Sequence, residues 1–179
     1  MIAAQHIAQI EQEFSAVMTA LWIHIEVASQ TLRLFQEDRL LQEYPVSTAT
    51  RGIGCQQDSY KTPYGAHTIA ACIGQGEALA EIFIGRQATA KTADIERQAI
   101  ATGEDLILSR ILWLKGLQSG INQGAGVDSY ARYIYIHGTQ EEGLLGQPAS
   151  HGCVRMGNQP IIDLFARVSV GTFVYIAAQ

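Results

Sequence analysis

No lysine or arginine occurs before Arg33, no run of either occurs anywhere, and only three cysteines and four prolines punctuate the 179 residues. Each shortage excludes something. Nucleic acid is bound through grouped cations, and none are grouped here; the formal net charge of −5 points the same way. A secretory leader needs a cationic start and an apolar stretch of about 7 to 15 residues, yet Glu11 and Glu13 interrupt the candidate stretch. No apolar run approaches the roughly 20 residues of a membrane-spanning helix. A cytoplasmic location is therefore expected, with a periplasmic one as the alternative if an export segment has been removed. Cys55, Cys72 and Cys153 form no framework at short spacing. An odd count fits a reducing compartment better than a disulfide scaffold, one disulfide plus a free thiol being the alternative.

What is present reads as one globular domain, 47% hydrophobic and 16% charged, long enough to bury a core. Ile7, Ile10, Phe14, Val17, Met18 and Leu21 recur at three- and four-residue steps, the stripe of an amphipathic helix. The expected division is a helix over residues 1–21 packed on a domain over residues 22–179. From Ile23 the period changes to two, and a three-stranded antiparallel meander is expected over residues 23–47. Further strands are expected over 68–73, 80–84, 106–114, 130–136 and 173–177, and a helix over 94–101. A later helix carries Pro160 in its first turn, with Asn158 as its expected cap. The fold class expected is mainly β with a few short helices.

Two segments carry chemistry: Tyr133-Ile134-Tyr135-Ile136-His137-Gly138-Thr139 and Ser150-His151-Gly152-Cys153-Val154-Arg155-Met156. The first ends a strand on His137 beside a glycine. The second presents Cys153 after a turn of small residues and immediately before a stretch expected to be helical. A cysteine becomes a nucleophile when a base or a helix N-terminus lowers its pKa, and His137 lies sixteen positions upstream across a loop. Gly152 permits close approach of backbone to substrate, and successive N–H groups at such a turn suit an oxyanion.

These residues resemble the L,D-transpeptidase (YkuD) catalytic domain family: His-Gly-Thr, a loop, Ser-His-Gly-Cys-x-Arg-Met, an Asp-x-Leu-Phe helix and a Gly-Thr-x-Val strand. Upstream, Ile25 to Phe35 is similar to the family's opening hairpin and Thr62-Pro63-x-Gly65 to its loop. The resemblance spans about residues 22–177 and implies a β-sandwich with the N-terminal helix added. It implies that Cys153 attacks the L-centre carbonyl of the third residue of a peptidoglycan stem tetrapeptide or muropeptide and expels D-alanine. His137 is then the base, oriented by the Gly138 carbonyl, with the N–H groups of Gly152 and Cys153 at the oxyanion and His151 lining it. Arg155, Tyr135 and Ser150 are expected to contact substrate, Arg155 through a carboxylate. Water as acceptor gives an L,D-carboxypeptidase that recycles murein; an amine gives a cross-link or a wall-attached protein. Carbapenem β-lactams are expected inhibitors, and no cofactor or metal is expected.

Blander readings stand beside this one. Cys55 and Cys72 read as small core hydrophobes. His137, His151 and Cys153, with His67 in reserve, are a rival zinc set, although His-x-Cys lacks the usual ligand spacing. A wall-binding module is a further alternative. His151 reads equally as a structural part of its turn, and Arg155 as the partner of a surface carboxylate. His67 reads as structural, His6 and His24 as solvated, and Trp113, Tyr133 and Tyr135 as core aromatics on strands.

Overall fold

Alternation of apolar side chains drives the first half of the chain. The computed structural model describes residues 4–178, so residues 1–3 of the expected helical segment and residue 179 lie outside the described residues. Ile23 and Ile25 lie on β1 (Leu21–Glu26), which turns back into β2 (Thr31–Gln36) and β3 (Arg39–Ser47). Ile23 faces Leu34, and Leu32 faces Tyr44, giving the expected meander. There follow β4 (Gly65–Ile73), β5 (Glu81–Ile84), β6 (Gln87–Thr92), β7 (Ile107–Gly116), β8 (Tyr135–Gly138) and β9 (Val154–Met156), then β10 (Phe173–Ala177). The sheet order is β4-β10-β1-β2-β3-β9-β8-β7, and β4 also pairs with β7. Eight strands thus close on themselves, and β5 and β6 hang from β7 as a hairpin. The fold is mainly β, as expected; the layers of the expected sandwich are joined at their edges by the β4–β7 pairing.

The enclosed core takes Ile23, Ile25, Leu32, Leu34, Leu112, Leu114, Ile136, Val154 and Met156 from the strands. The helix α2 (Asn158–Arg167) adds Ile161, Leu164 and Phe165, each buried side chain contributing roughly 1.5–3 kcal/mol. The N-terminal helix α1 (Ala4–Glu13) covers the outside of β1 and β10. Its Ile7 and Ile10 pack with Trp22, Phe35 and Phe173. Among the described residues no helix is long and apolar enough to cross a membrane.

Several local expectations change. The first helix ends at Glu13, and Phe14 and Met18 continue its stripe from a turn. With α1 on that face, His24 is fully buried rather than solvated. His6 lies half-buried beside it, ring centroids 5.8 Å apart. Residues 94–101 are not helical: the Glu96 N–H donates to Gln140 O and the Glu96 carbonyl accepts from Gly143, so tertiary bonds take the backbone groups a helix would use. The strand expected from 130 begins only at Tyr135, because Asp128 accepts the N–H groups of Gly124 and Ala131 and organises a turn. Asn158 does not cap α2 with its side chain; it is the first helical residue, and Glu142 accepts its N–H at 2.9 Å.

Candidate active site

Side chains alternate along β8. Ile136 enters the core beside its partners Leu112 and Val154, so Tyr135 and His137 point to the opposite face. Ile111 pairs with His137 and Trp113 with Tyr135 across β7, while Arg155 pairs with His137 from β9. Cys153 immediately precedes β9, a strand rather than the expected helix because Val154 and Met156 pair with β8 into the core; it lies one step before the Val154–Ile136 pair and packs against the cluster of Phe83, Ile111 and Tyr135. Period-two alternation therefore places Cys153, His137, Tyr135 and Arg155 on one outer face.

The turn carrying Cys153 is held from below. The Ser150 hydroxyl donates to Cys153 O at 2.6 Å and accepts the Gly152 N–H at 3.2 Å. Thr62, from the Thr-Pro loop, donates to Gly152 O at 3.0 Å and accepts the Ala49 N–H at 2.9 Å. Gly152 sits at φ +138°, a backbone region that disfavours side chains. The Cys153 Sγ accepts the Tyr135 N–H and donates to Tyr133 O, each at 3.4 Å. Burial pushes the thiol up to about 12, the Tyr135 N–H only partly opposing it. The resting sulfur is thus a protonated thiol, not the low-pKa thiolate expected from the turn alone.

His137 is buried, and its Nδ1 donates to Gly138 O at 2.7 Å, leaving Nε2 as the basic nitrogen. Burial moves its pKa down, with Asp105 and the Gly138 carbonyl opposing. Gly138 admits no side chain, since a Cβ would lie 2.8 Å from Leu108 O. Asp105, on the loop before β7, accepts from His151 Nδ1 at 2.8 Å and from Arg155 at 2.7 Å. Burial raises its carboxyl, but the charges of His137 and Arg155 and the bonds from His151 and Arg155 outweigh this and hold it below the usual range.

Arg155 is buried and bridges Asp105 to Glu141, the latter at 2.7 Å. Its fork is occupied, so a substrate carboxylate would have to displace one of these partners. Ser150 is buried with its hydroxyl spent on the turn, which leaves it no contact to offer a substrate. The Gly152 N–H is spent on Ser150, and the Cys153 N–H is the donor without an acceptor among the described residues. His151 stays at the surface, its side chain 67% exposed. Tyr135 is buried, and its hydroxyl accepts from Arg86 Nη1 at 3.2 Å. Tyr133 is not a core residue, being 54% exposed at the rim. Of the rival zinc set, His67 lies apart: its Nδ1 bonds Gly65 O at 3.0 Å and its Nε2 bonds Ser129 at 2.9 Å. Sequence reasoning missed Asp105 and Arg86, for neither lies near a motif.

The fold defines a class of mainly β proteins that carry a cysteine just before one strand and an outward-facing histidine on its parallel neighbour. Within that class the chain is a member of the L,D-transpeptidase catalytic domain (YkuD) family, whose pattern matches residues 20–176. It is 46% identical over 45 residues to YqjB of Bacillus subtilis (strain 168), a protein named for this family, covering 25% of this chain and 26% of that one. An L,D-transpeptidase from Mycobacterium smegmatis shares the fold at TM-score 0.54 and 15% identity, over 89% of this chain and 59% of that one. LdtMt1, solved in complex with imipenem, does so at TM-score 0.52 and 15% identity, over 88% and 59%. The chain thus spans about 59% of the length of both solved relatives.

Proposed function

We propose that the chain is a cysteine acyl-transfer enzyme of peptidoglycan stem peptides, with Cys153 as nucleophile and His137 as base. The observation that carries this is the shared outer face of Cys153 and His137, with the imidazole fixed in the tautomer that leaves Nε2 basic. The thiol is protonated at rest, so attack and proton removal go together: Sγ bonds to the L-centre carbonyl carbon as His137 Nε2 takes the thiol proton. The Cys153 N–H meets the oxyanion. The C–N bond to D-alanine then breaks, and the imidazolium returns its proton to the leaving amine. Asp105 steadies the imidazolium, and Arg155 and His151 hold Asp105 in place.

The finer reading is hydrolysis: water attacks the thioester, giving a tripeptide, as in a cytoplasmic L,D-carboxypeptidase working on soluble muropeptides. One observation supports it. The three cysteines are free thiols, which fits a reducing compartment. The competing reading gives the thioester to an amine outside the membrane.

Purified protein with free tetrapeptide, its products weighed, tests the reading. Tripeptide and D-alanine should form with wild type and with Cys55→Ala, and Cys153→Ala should lose several orders of magnitude in rate. Cross-linked dimers as the main product from muropeptides would replace water by an amine. A carbapenem should add one drug mass to wild type and none to Cys153→Ala: Sγ bonds to the lactam carbonyl, the ring C–N bond opens, and the nitrogen takes the proton. Full activity in Cys153→Ala would end the assignment.

A further inference from the structure

Beside the thiol, on the same outer face, stands an aromatic group that the acyl-transfer mechanism does not use. Tyr130 stacks on Trp113 with ring centroids 4.0 Å apart and planes 7° apart. The Arg86 guanidinium lies over the Trp113 ring at 4.7 Å and over the Tyr133 ring at 5.1 Å. Since Tyr130 occupies one face of Trp113, Arg86 must hold the other. Its Nη1 donates to the Tyr135 hydroxyl at 3.2 Å. Arg33, Arg97, Arg155 and Arg167 all reach carboxylates. Among the described residues Arg86 has the Tyr135 hydroxyl as its polar partner and no carboxylate.

The backbone places Arg86 there at some cost. β5 and β6 are joined by the two residues Gly85 and Arg86, both at positive φ (55° and 69°). A two-residue turn of this kind favours glycine or asparagine at both positions. An arginine in that conformation, carried over the sheet face to place its guanidinium above two aromatic rings and against the Tyr135 hydroxyl, is oriented before any ligand arrives. A guanidinium so held loses little freedom on binding, and its remaining N–H groups match a carboxylate.

The link to the nucleophile is short. Tyr135 offers its hydroxyl to Arg86 and its N–H to Cys153 Sγ, while Tyr133 lies under Arg86 and gives its carbonyl to the same sulfur. We propose that Arg86 is a specificity-determining residue that holds a carboxylate of the acyl donor while the neighbouring carbonyl meets Cys153. This rests on the acyl-transfer reading above. A stem peptide offers two carboxylates within one or two residue lengths, about 3.5 Å each, of the scissile bond: the terminal one of D-alanine and, in diamino-dicarboxylic stems, that of the third side chain.

The test uses three tetrapeptides: one with both carboxylates free, one amidated at the third side chain, and one amidated at the C-terminus. Wild type should prefer the free acid over one of the two amides by about 10- to 100-fold in kcat/KM, chiefly through KM, the range expected of a charge-assisted bond. That arm identifies the carboxylate. In Arg86→Met, which keeps the stem on the rings, the ratio should fall toward one, and Arg86→Lys should lie between. A second readout needs no turnover: in Cys153→Ala protein, the free-acid peptide should perturb tryptophan emission through Trp113, and adding Arg86→Met should remove that response. If wild type turns over no peptide but the emission response is present and depends on Arg86, the acyl-transfer reading fails and the carboxylate site stands. Wild-type preference ratios on both arms in Arg86→Met, with an unchanged emission response, overturn the proposal.

Discussion

Cys153 and His137 share a face and both rest neutral, because burial raises the thiol and lowers the imidazole. Burial opposes charge of either sign, so nothing is gained by transferring the proton before substrate arrives. Two charges bias the pair afterwards: Asp105 favours a protonated His137, while Arg155 opposes it. A pH prediction follows with a definite sign. The acidic limb of kcat/KM should lie below the ordinary histidine value near 6.5, since His137 must be neutral to accept the proton. Asp105→Asn removes the charge that raises His137, so the limb should move to still lower pH. The rate should fall by on the order of tenfold, a part of the roughly 100- to 10,000-fold that a positioned base supplies. A limb that stays in place on that substitution would confine Asp105 to holding Arg155. Cys153 and His137 were legible in the sequence because each sits in a short segment with its own turn chemistry. Asp105 and Arg86 were not, for they come from a loop and a hairpin that β7 pairing brings to the site. The particular carboxylates that Arg155 pairs with were hidden for a related reason: Asp105 and Glu141 approach from separate loops.

At the scale of elements, the long alternating segments were readable and the short ones were not. β1 to β3 and β10 fell where period-two patterning put them, since each has an apolar face turned to one core. β6 was missed because, covered on neither side, it carries no burial signal. The 94–101 segment has helical spacing but surrenders its backbone bonds to Gln140 and Gly143. The first helix was found, and its effect on the sheet beneath was not: by covering β1 it makes Trp22, His24 and Phe35 interior. Its hold is measurable. Ile10 is 3% exposed against that cluster, and Ile10→Ala should cost about 2–4 kcal/mol. The urea midpoint should drop, and Trp22, stacked on Phe35 at 4.9 Å, should shift its emission to the red if α1 detaches. Unchanged stability would show that α1 adds nothing to the domain.

Across the whole molecule, stability should depend on pH through two buried histidines that no substrate touches. His24 lies beneath α1 between Trp22, His6 and Tyr175, with neither ring nitrogen bonded among the described residues. Burial, followed by the charges of His6 and Arg33, lowers its pKa to about 4. His67, tied to Gly65 and Ser129, is brought to about 4, again mainly by burial. Both are neutral in the folded state at pH 7, where neither disfavours folding. Below about 6.5 the unfolded chain takes up protons that the folded one refuses, so stability declines until pH reaches about 4 and these terms level off. At 1.36 kcal/mol per unit, a shift from 6.5 to about 4 amounts to about 3 kcal/mol for each histidine. Domains have only about 5–15 kcal/mol in reserve, so the two together are a large part of it. Asp105 and Glu141, held below the usual carboxylate range, act in the same direction at lower pH, their stabilisation being lost as they protonate. Urea midpoints taken at pH 7, 6, 5 and 4.5 should therefore fall steadily in wild type. His24→Phe keeps an aromatic ring against Trp22 and Tyr175 but cannot titrate, so its midpoint should fall less steeply over that interval. Parallel curves for the two proteins would show that His24 escapes its site before it protonates, through opening of α1 rather than through unfolding of the sheet.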